Sequence, residues 1–205
     1  MTADVAEQAF PPQSDTAQRW FANAAWVAMT IALGCYLAIY SRNVPYMEDW
    51  ELVPVLSGNR SWSFGWLADQ IVEHRFILAK IVLFPLWRMT YDARSGMVVS
   101  SAMLAALALA FVVIARRLRG RASYADAFFP LLLLHWGHCE TLIFFLQVCY
   151  VLPVVQYGVA VMVIATGAWT RSTAALVALG VSVALLPLDG GIGLLLAPAL
   201  AVWLA

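Results

Sequence analysis

Between Trp20 and Tyr40 no side chain carries a charge, a run of 21 residues. As a helix it rises about 31 Å, one hydrocarbon thickness, so it is long enough to cross a bilayer. A second run of 21, Ser95 to Ala115, has the same character. A chain with such stretches must satisfy its backbone internally, which leaves helices as the building element. The rest of the composition agrees. The 205 residues hold 12 acidic and 12 basic side chains and are 63% apolar, with a mean hydropathy of +0.80. Soluble domains carry about 25% charged residues. That excludes a soluble globule and a disordered tail, and zero net charge leaves no field for a nucleic acid. The three cysteines, Cys35, Cys139 and Cys149, imply no disulfide framework.

The charges that remain define the organisation. Residues 1–19 read as a polar, disordered cytoplasmic arm, and 20–40 as the first transmembrane helix. The rival, a cleaved signal peptide, is disfavoured by the acidic leader, Asp4, Glu7 and Asp15. Residues 41–94 hold half of all the charge, six bases and six acids, among Trp50, Trp62, Trp66 and Trp87. Arg116, Arg117, Arg119 and Arg121 follow the second span at once and belong in the cytoplasm. The N-terminus then lies inside and 41–94 outside. Residues 95–205 read as a transmembrane bundle, apparently incomplete at its C-terminal end. The expected class is all-α: a polytopic membrane helix bundle with a large extracytoplasmic first loop containing amphipathic juxtamembrane helices.

Within that loop Phe64, Leu67, Ile71 and Leu78 recur at helical spacing. Phe76 to Tyr91 reads as an interfacial helix, because Lys80 and Arg88 make a span costly there. Chemistry concentrates in two places. Glu48 and Asp49 are adjacent carboxylates, suited to a general base or a metal ligand. Glu73, His74 and Arg75, followed by Lys80, suit a phosphate-bearing lipid, Arg as a fork and Lys as a point charge. The plain readings are a solvated acidic loop and a local ion pair.

The order of these boxes resembles the N-terminal half of GT-C fold glycosyltransferases. These polytopic enzymes take sugars from polyprenyl-phosphate donors, as protein O-mannosyltransferases and aminoarabinose transferases do. The boxes are Glu48-Asp49-Trp50, Glu73-His74-Arg75, and Glu140-Thr141 through Phe145 to Gln147. The resemblance covers about residues 20–200 and implies transfer of a sugar to an acceptor glycan, lipid or protein on the extracytoplasmic face. It implies Asp49 or Glu48 as the base, or as helping to bind a divalent cation. Glu73, His74, Arg75, Lys80, Glu140 and Gln147 would bind the substrate, with Arg75 and Lys80 facing the phosphate. The family's usual pair is Asp-Glu, and the inverted order here leaves the base open between Glu48 and Asp49. Such enzymes have about twice as many spans, so the expected setting is a module of a multi-pass protein of the bacterial inner membrane.

Other features point to structure. His135, His138, Cys139 and Glu140 read as a polar cap on a short span rather than a metal site, since Gly137 weakens the helix. No other ligand set suggests a resident metal. Asp189-Gly190-Gly191 reads as a tight outer turn, and Ala102, Ala106 and Ala110 as a stripe that lets helices approach. The alternative to an enzyme is a non-enzymatic membrane component, such as a transporter subunit or assembly factor.

Overall fold

The structure, a computed structural model, describes residues 15–204, so most of the expected N-terminal arm, residues 1–14, lies outside the described residues. Regular structure among the described residues is helical, apart from one isolated antiparallel bridge between Ile71 and His74. In chain order the helices are α1 (Thr16–Tyr40), α2 (Val53–Leu56), α3 (Phe64–Ala68), α4 (Ile77–Thr90), α5 (Arg94–Arg119), α6 (Phe128–Leu133), α7 (Cys139–Ile143), α8 (Val148–Thr166), α9 (Thr173–Leu185) and α10 (Gly191–Leu204). Three of them, α1, α5 and α8, are long and apolar enough to cross a membrane. Helix α1 starts four residues before the charge-free run, so Thr16 to Arg19 are helical rather than part of the arm.

Helix α5 is the axis of the bundle, and α1, α4, α6, α7 and α8 pack on it. Its buried face is lined by small residues: Gly96, Ser100, Ser101, Ala105 and Ala108. A Cβ on Gly96 would lie 2.5 Å from the Phe145 ring, so only glycine allows that approach. The stripe Ala102-Ala106 turns outward instead, one step around the helix from the packed face. Trp26 of α1 donates its indole N–H to the Ala105 carbonyl at 2.8 Å, pinning the first span to the axis.

The segment between α1 and α5 is a packed unit rather than an open loop. Asn43 ties its two ends, accepting the Ala93 N–H at 2.8 Å and donating to the Tyr91 carbonyl. Leu52, Val55 and Leu56 pack with Trp66, Leu67, Ala79 and Leu83, and the cluster runs on to Phe145, Val148 and Cys149. The expected helix through Phe64, Leu67 and Ile71 stops at Ala68. Ser63 caps its start, accepting the Trp66 N–H at 3.1 Å, and Asp69 is extended. Phe64 is therefore exposed, while Leu67 and Ile71 are buried.

Lys80 explains the stop. It sits on α4 as the sequence suggests, but its ammonium points into the protein. It donates to the carbonyls of Trp66 (2.9 Å), Leu67 (3.3 Å) and Asp69 (2.6 Å) at the end of α3, the first of which also accepts the Asp69 N–H. The ammonium also lies 5.4 Å from the Trp66 ring. Burial pushes its pKa below the ordinary lysine value, opposed by the nearby Asp69 carboxylate. All three donors are used, leaving none for a lipid phosphate. Lys80→Met keeps the stem and removes the cap, and is expected to lower stability by about 2 kcal/mol. Denaturant unfolding in detergent measures it; an unchanged midpoint would contradict the capping role.

Candidate active site

Glu48 and Asp49 lie in a 3-10 turn, Met47–Glu51, and neighbouring positions on so tight a turn point different ways. Asp49 points inward and is only 3% exposed. Its carboxylate accepts backbone N–H bonds from Leu146 (2.7 Å), Tyr46 (3.2 Å) and Phe145 (3.3 Å). It thereby staples the turn to the chain entering α8, and the Tyr46 ring stacks on Phe144 at 4.4 Å beside it. Burial raises its pKa above the ordinary carboxylate value, against the lowering effect of the three N–H donors. Glu48 is half-buried and faces a cavity of about 210 Å³.

Two further segments complete that cavity. Ile71 and His74 exchange backbone bonds (2.8 and 3.1 Å), closing a turn that presents Val72, Glu73 and His74 to it. Leu146, Gln147, Cys149 and Tyr150, at the start of α8, form the facing wall, with Phe76 alongside. The cavity thus gathers Glu48, Glu73, His74 and Gln147, four of the residues singled out from the sequence. Its backbone frame is strained at two points. Met47 has φ +47° and Val72 φ +54°, in the left-handed region that a β-branched residue such as valine adopts only at a cost. Each directly precedes a carboxylate of the cavity, Glu48 and Glu73. Strain of this kind, about 1–3 kcal/mol per residue, collects at functional sites.

The turn after α9 seats the histidine. A Cβ at Gly191 would lie 3.0 Å from His74 Cε1, so the bare backbone gives the imidazole its place. Gly190 takes φ +85° and lies against Phe76, whose ring is 5.7 Å from that of His74. Asp189-Gly190-Gly191 is thus a tight turn, as its sequence suggests, and also a support of the site, which the sequence does not reveal.

Asp189 itself is buried, and neither of its oxygens has a hydrogen-bond donor. Oε1 of the nearby Gln156 is likewise buried and unpaired. Burial pushes the Asp189 pKa up to about 7, against the lowering effect of the Gln156 side chain. The folded state then holds a proton that the unfolded chain releases near pH 4, so stability falls as pH rises from about 4 to 7. Asp189→Asn carries its own donor. It is expected to flatten that slope and to raise the unfolding temperature at pH 8. A slope unchanged in the variant would contradict a protonated Asp189.

Not every expected residue reaches the cavity. Asp49 and Lys80 are engaged as described. Arg75 and Glu140 are exposed and do not line it. The rings of His135 and His138 lie 4.4 Å apart at a tilt of 39°, and His135 Nδ1 accepts the Gly137 N–H, a local cap. Among the described residues no three metal-ligating side chains cluster. A larger cavity, about 750 Å³, is an apolar groove between α1 and the first half of α5, with Asp92 and Arg94 at one end. None of the expected site residues lines it. Cys149 and Tyr150 enter the smaller cavity unannounced, because nothing in an apolar run marks which face of α8 turns toward Glu48.

No family model, no curated protein and no solved structure matches this chain.

Proposed function

We propose that the chain is a membrane glycosyltransferase, or a module of one, that transfers a sugar from a polyprenyl-phosphate donor. One observation carries the reading: Glu48, Glu73, His74 and Gln147, far apart in sequence, line a single cavity. Two carboxylates, an imidazole and an amide provide the acceptors and donors that orient sugar hydroxyls. Glu48 is the base. It takes the proton of an acceptor hydroxyl as that oxygen bonds to the anomeric carbon, and the bond from that carbon to the phosphate oxygen breaks. The electron pair leaves with polyprenyl phosphate, whose charge needs a cation. Arg75 is exposed beside His74 and has no ion pair among the described residues, so it suits that role. The apolar groove along α1 supports a substrate with a lipid chain.

In this reading the cavity lies on the extracytoplasmic face of a bacterial inner membrane, since the arginine cluster at the far end of α5 marks the cytoplasm. The test supplies membranes containing the chain with a panel of polyprenyl-phosphate sugars labelled in the sugar. Label is expected to leave the lipid phase, with polyprenyl phosphate released in equal amount. No donor consumed above membranes lacking the chain would favour a non-enzymatic component.

A further inference from the structure

At the far end of α5 from the candidate site, Arg19, Arg116, Arg117 and Arg121 line another cavity, about 360 Å³, together with Val113 and Gly120. Two of the arginines nearby have structural work. Asp126, almost fully buried, pairs with Arg116 and with Arg119, and its Oδ2 also accepts the Ser123 N–H at 3.0 Å. Arg116 further donates to the Arg19 carbonyl at 3.3 Å, joining α1 to α5. Arg19 keeps a loose contact with Asp15, 3.8 Å. Arg117 and Arg121 are exposed and make no ion pair among the described residues. Among the described residues five arginines thus meet two acids, and the surplus guanidinium groups face one cavity. The last turn of α5 adds unpaired carbonyls, which do not attract an anion, so the arginine surplus alone sets the sign.

The surroundings say what kind of anion fits. Trp20, Phe21, Tyr124 and Phe128 are exposed beside the cluster, with Phe21 and Tyr124 edge to face at 5.3 Å. Exposed aromatics next to arginine at the end of a spanning helix are the pattern of a headgroup layer. Gly96, which packs on Phe145, and Arg117 are 21 positions apart on one helix, about 32 Å. That is one hydrocarbon thickness, so the two cavities sit at opposite faces of a bilayer.

We propose that the Arg19, Arg116, Arg117 and Arg121 cavity binds the phosphate of an anionic phospholipid, held by guanidinium forks while its chains lie along α1 and α5. This stands apart from the glycosyltransferase reading and survives its failure. The whole chain is purified in detergent, stripped of lipid, and titrated with phosphatidylglycerol, phosphatidylcholine or inorganic phosphate, with bound ligand counted by native mass spectrometry. Phosphatidylglycerol is expected to bind at least about tenfold tighter than phosphatidylcholine. The double variant Arg117→Gln, Arg121→Gln spares the pairing of Asp126 and should weaken binding about thirtyfold. Equal affinity for the two lipids overturns the proposal, as does a double variant that binds like the parent. Inorganic phosphate binding as tightly as phosphatidylglycerol overturns the lipid source. If the glutamine pair unfolds, Arg117→Lys with Arg121→Lys keeps charge and loses the fork. Several-fold weaker binding by that pair supports the proposal, and unchanged binding contradicts it.

Discussion

Replacing Glu48 with glutamine is expected to cut sugar transfer by about 10²- to 10⁴-fold, the usual contribution of a positioned general base. Glutamine keeps the volume and can still hydrogen-bond a hydroxyl, but it takes no proton. Glu48 is half-buried at the rim of the cavity, and its side chain makes no hydrogen bond or ion pair among the described residues. Its loss should therefore leave the unfolding temperature within experimental error of the parent. Donor affinity should fall by much less than turnover, since in the proposed site Glu73, His74 and Gln147 would hold the donor as well. Labelled polyprenyl-phosphate sugar in membranes gives both quantities. A Glu48→Gln protein turning over like the parent would remove Glu48 from the chemistry.

Asp49, one residue on, is expected to behave in the opposite way. Its carboxylate is the partner of three backbone N–H groups, from Tyr46, Phe145 and Leu146, in a nearly water-free place. Asp49→Ala strands all three. Each buried unpaired donor costs about 1–3 kcal/mol, and partial relaxation brings the sum to about 3–5 kcal/mol. That is a large share of the stability of a domain this size. Asp49→Asn keeps one oxygen acceptor and turns an amide N–H toward a donor, so about half the loss is expected. Chemical denaturation in detergent, followed by far-ultraviolet circular dichroism, measures both variants. Activity will fall in them too, because the turn that aims Glu48 is released. What separates the neighbours is stability: the Glu48 variant keeps it and the Asp49 variants do not. An alanine variant as stable as the parent would show that Asp49 does not staple the turn.

The contrast between these two residues also shows how far the sequence is legible. Hydropathy locates the long helices well, because a run such as Ser95 to Ala115 has few ways to fold other than as α5. The boxes Glu48-Asp49 and Glu73-His74 are visible as polar residues in apolar company. Which carboxylate faces the cavity is not visible, since a 3-10 turn with Met47 at positive φ sets it, and no periodicity encodes that. Lys80 misleads for a related reason. On a helical wheel it is a cation on an interfacial helix, yet three carbonyls at the end of α3 claim it. The arginine cluster hides its counterion, since Asp126 follows Arg121 by five residues and returns through the turn Tyr124–Ala127 to meet Arg116 and Arg119. In each case a short, irregular piece of backbone decides a side chain's direction.

Carboxyl labelling tests the site most directly. The chain in detergent is treated with a water-soluble carbodiimide and an amine, with and without a polyprenyl-phosphate sugar, and modified residues are quantified by mass spectrometry. Glu48 and Glu73 are expected to react, and the donor should slow both by at least about tenfold, the protection of a site more than nine-tenths occupied. Exposed Glu140 should react at one rate throughout, and Asp49 should stay unmodified until the protein unfolds. Labelling of Glu48 that is indifferent to every donor, or rapid labelling of Asp49 in the folded chain, would contradict the placement of the site.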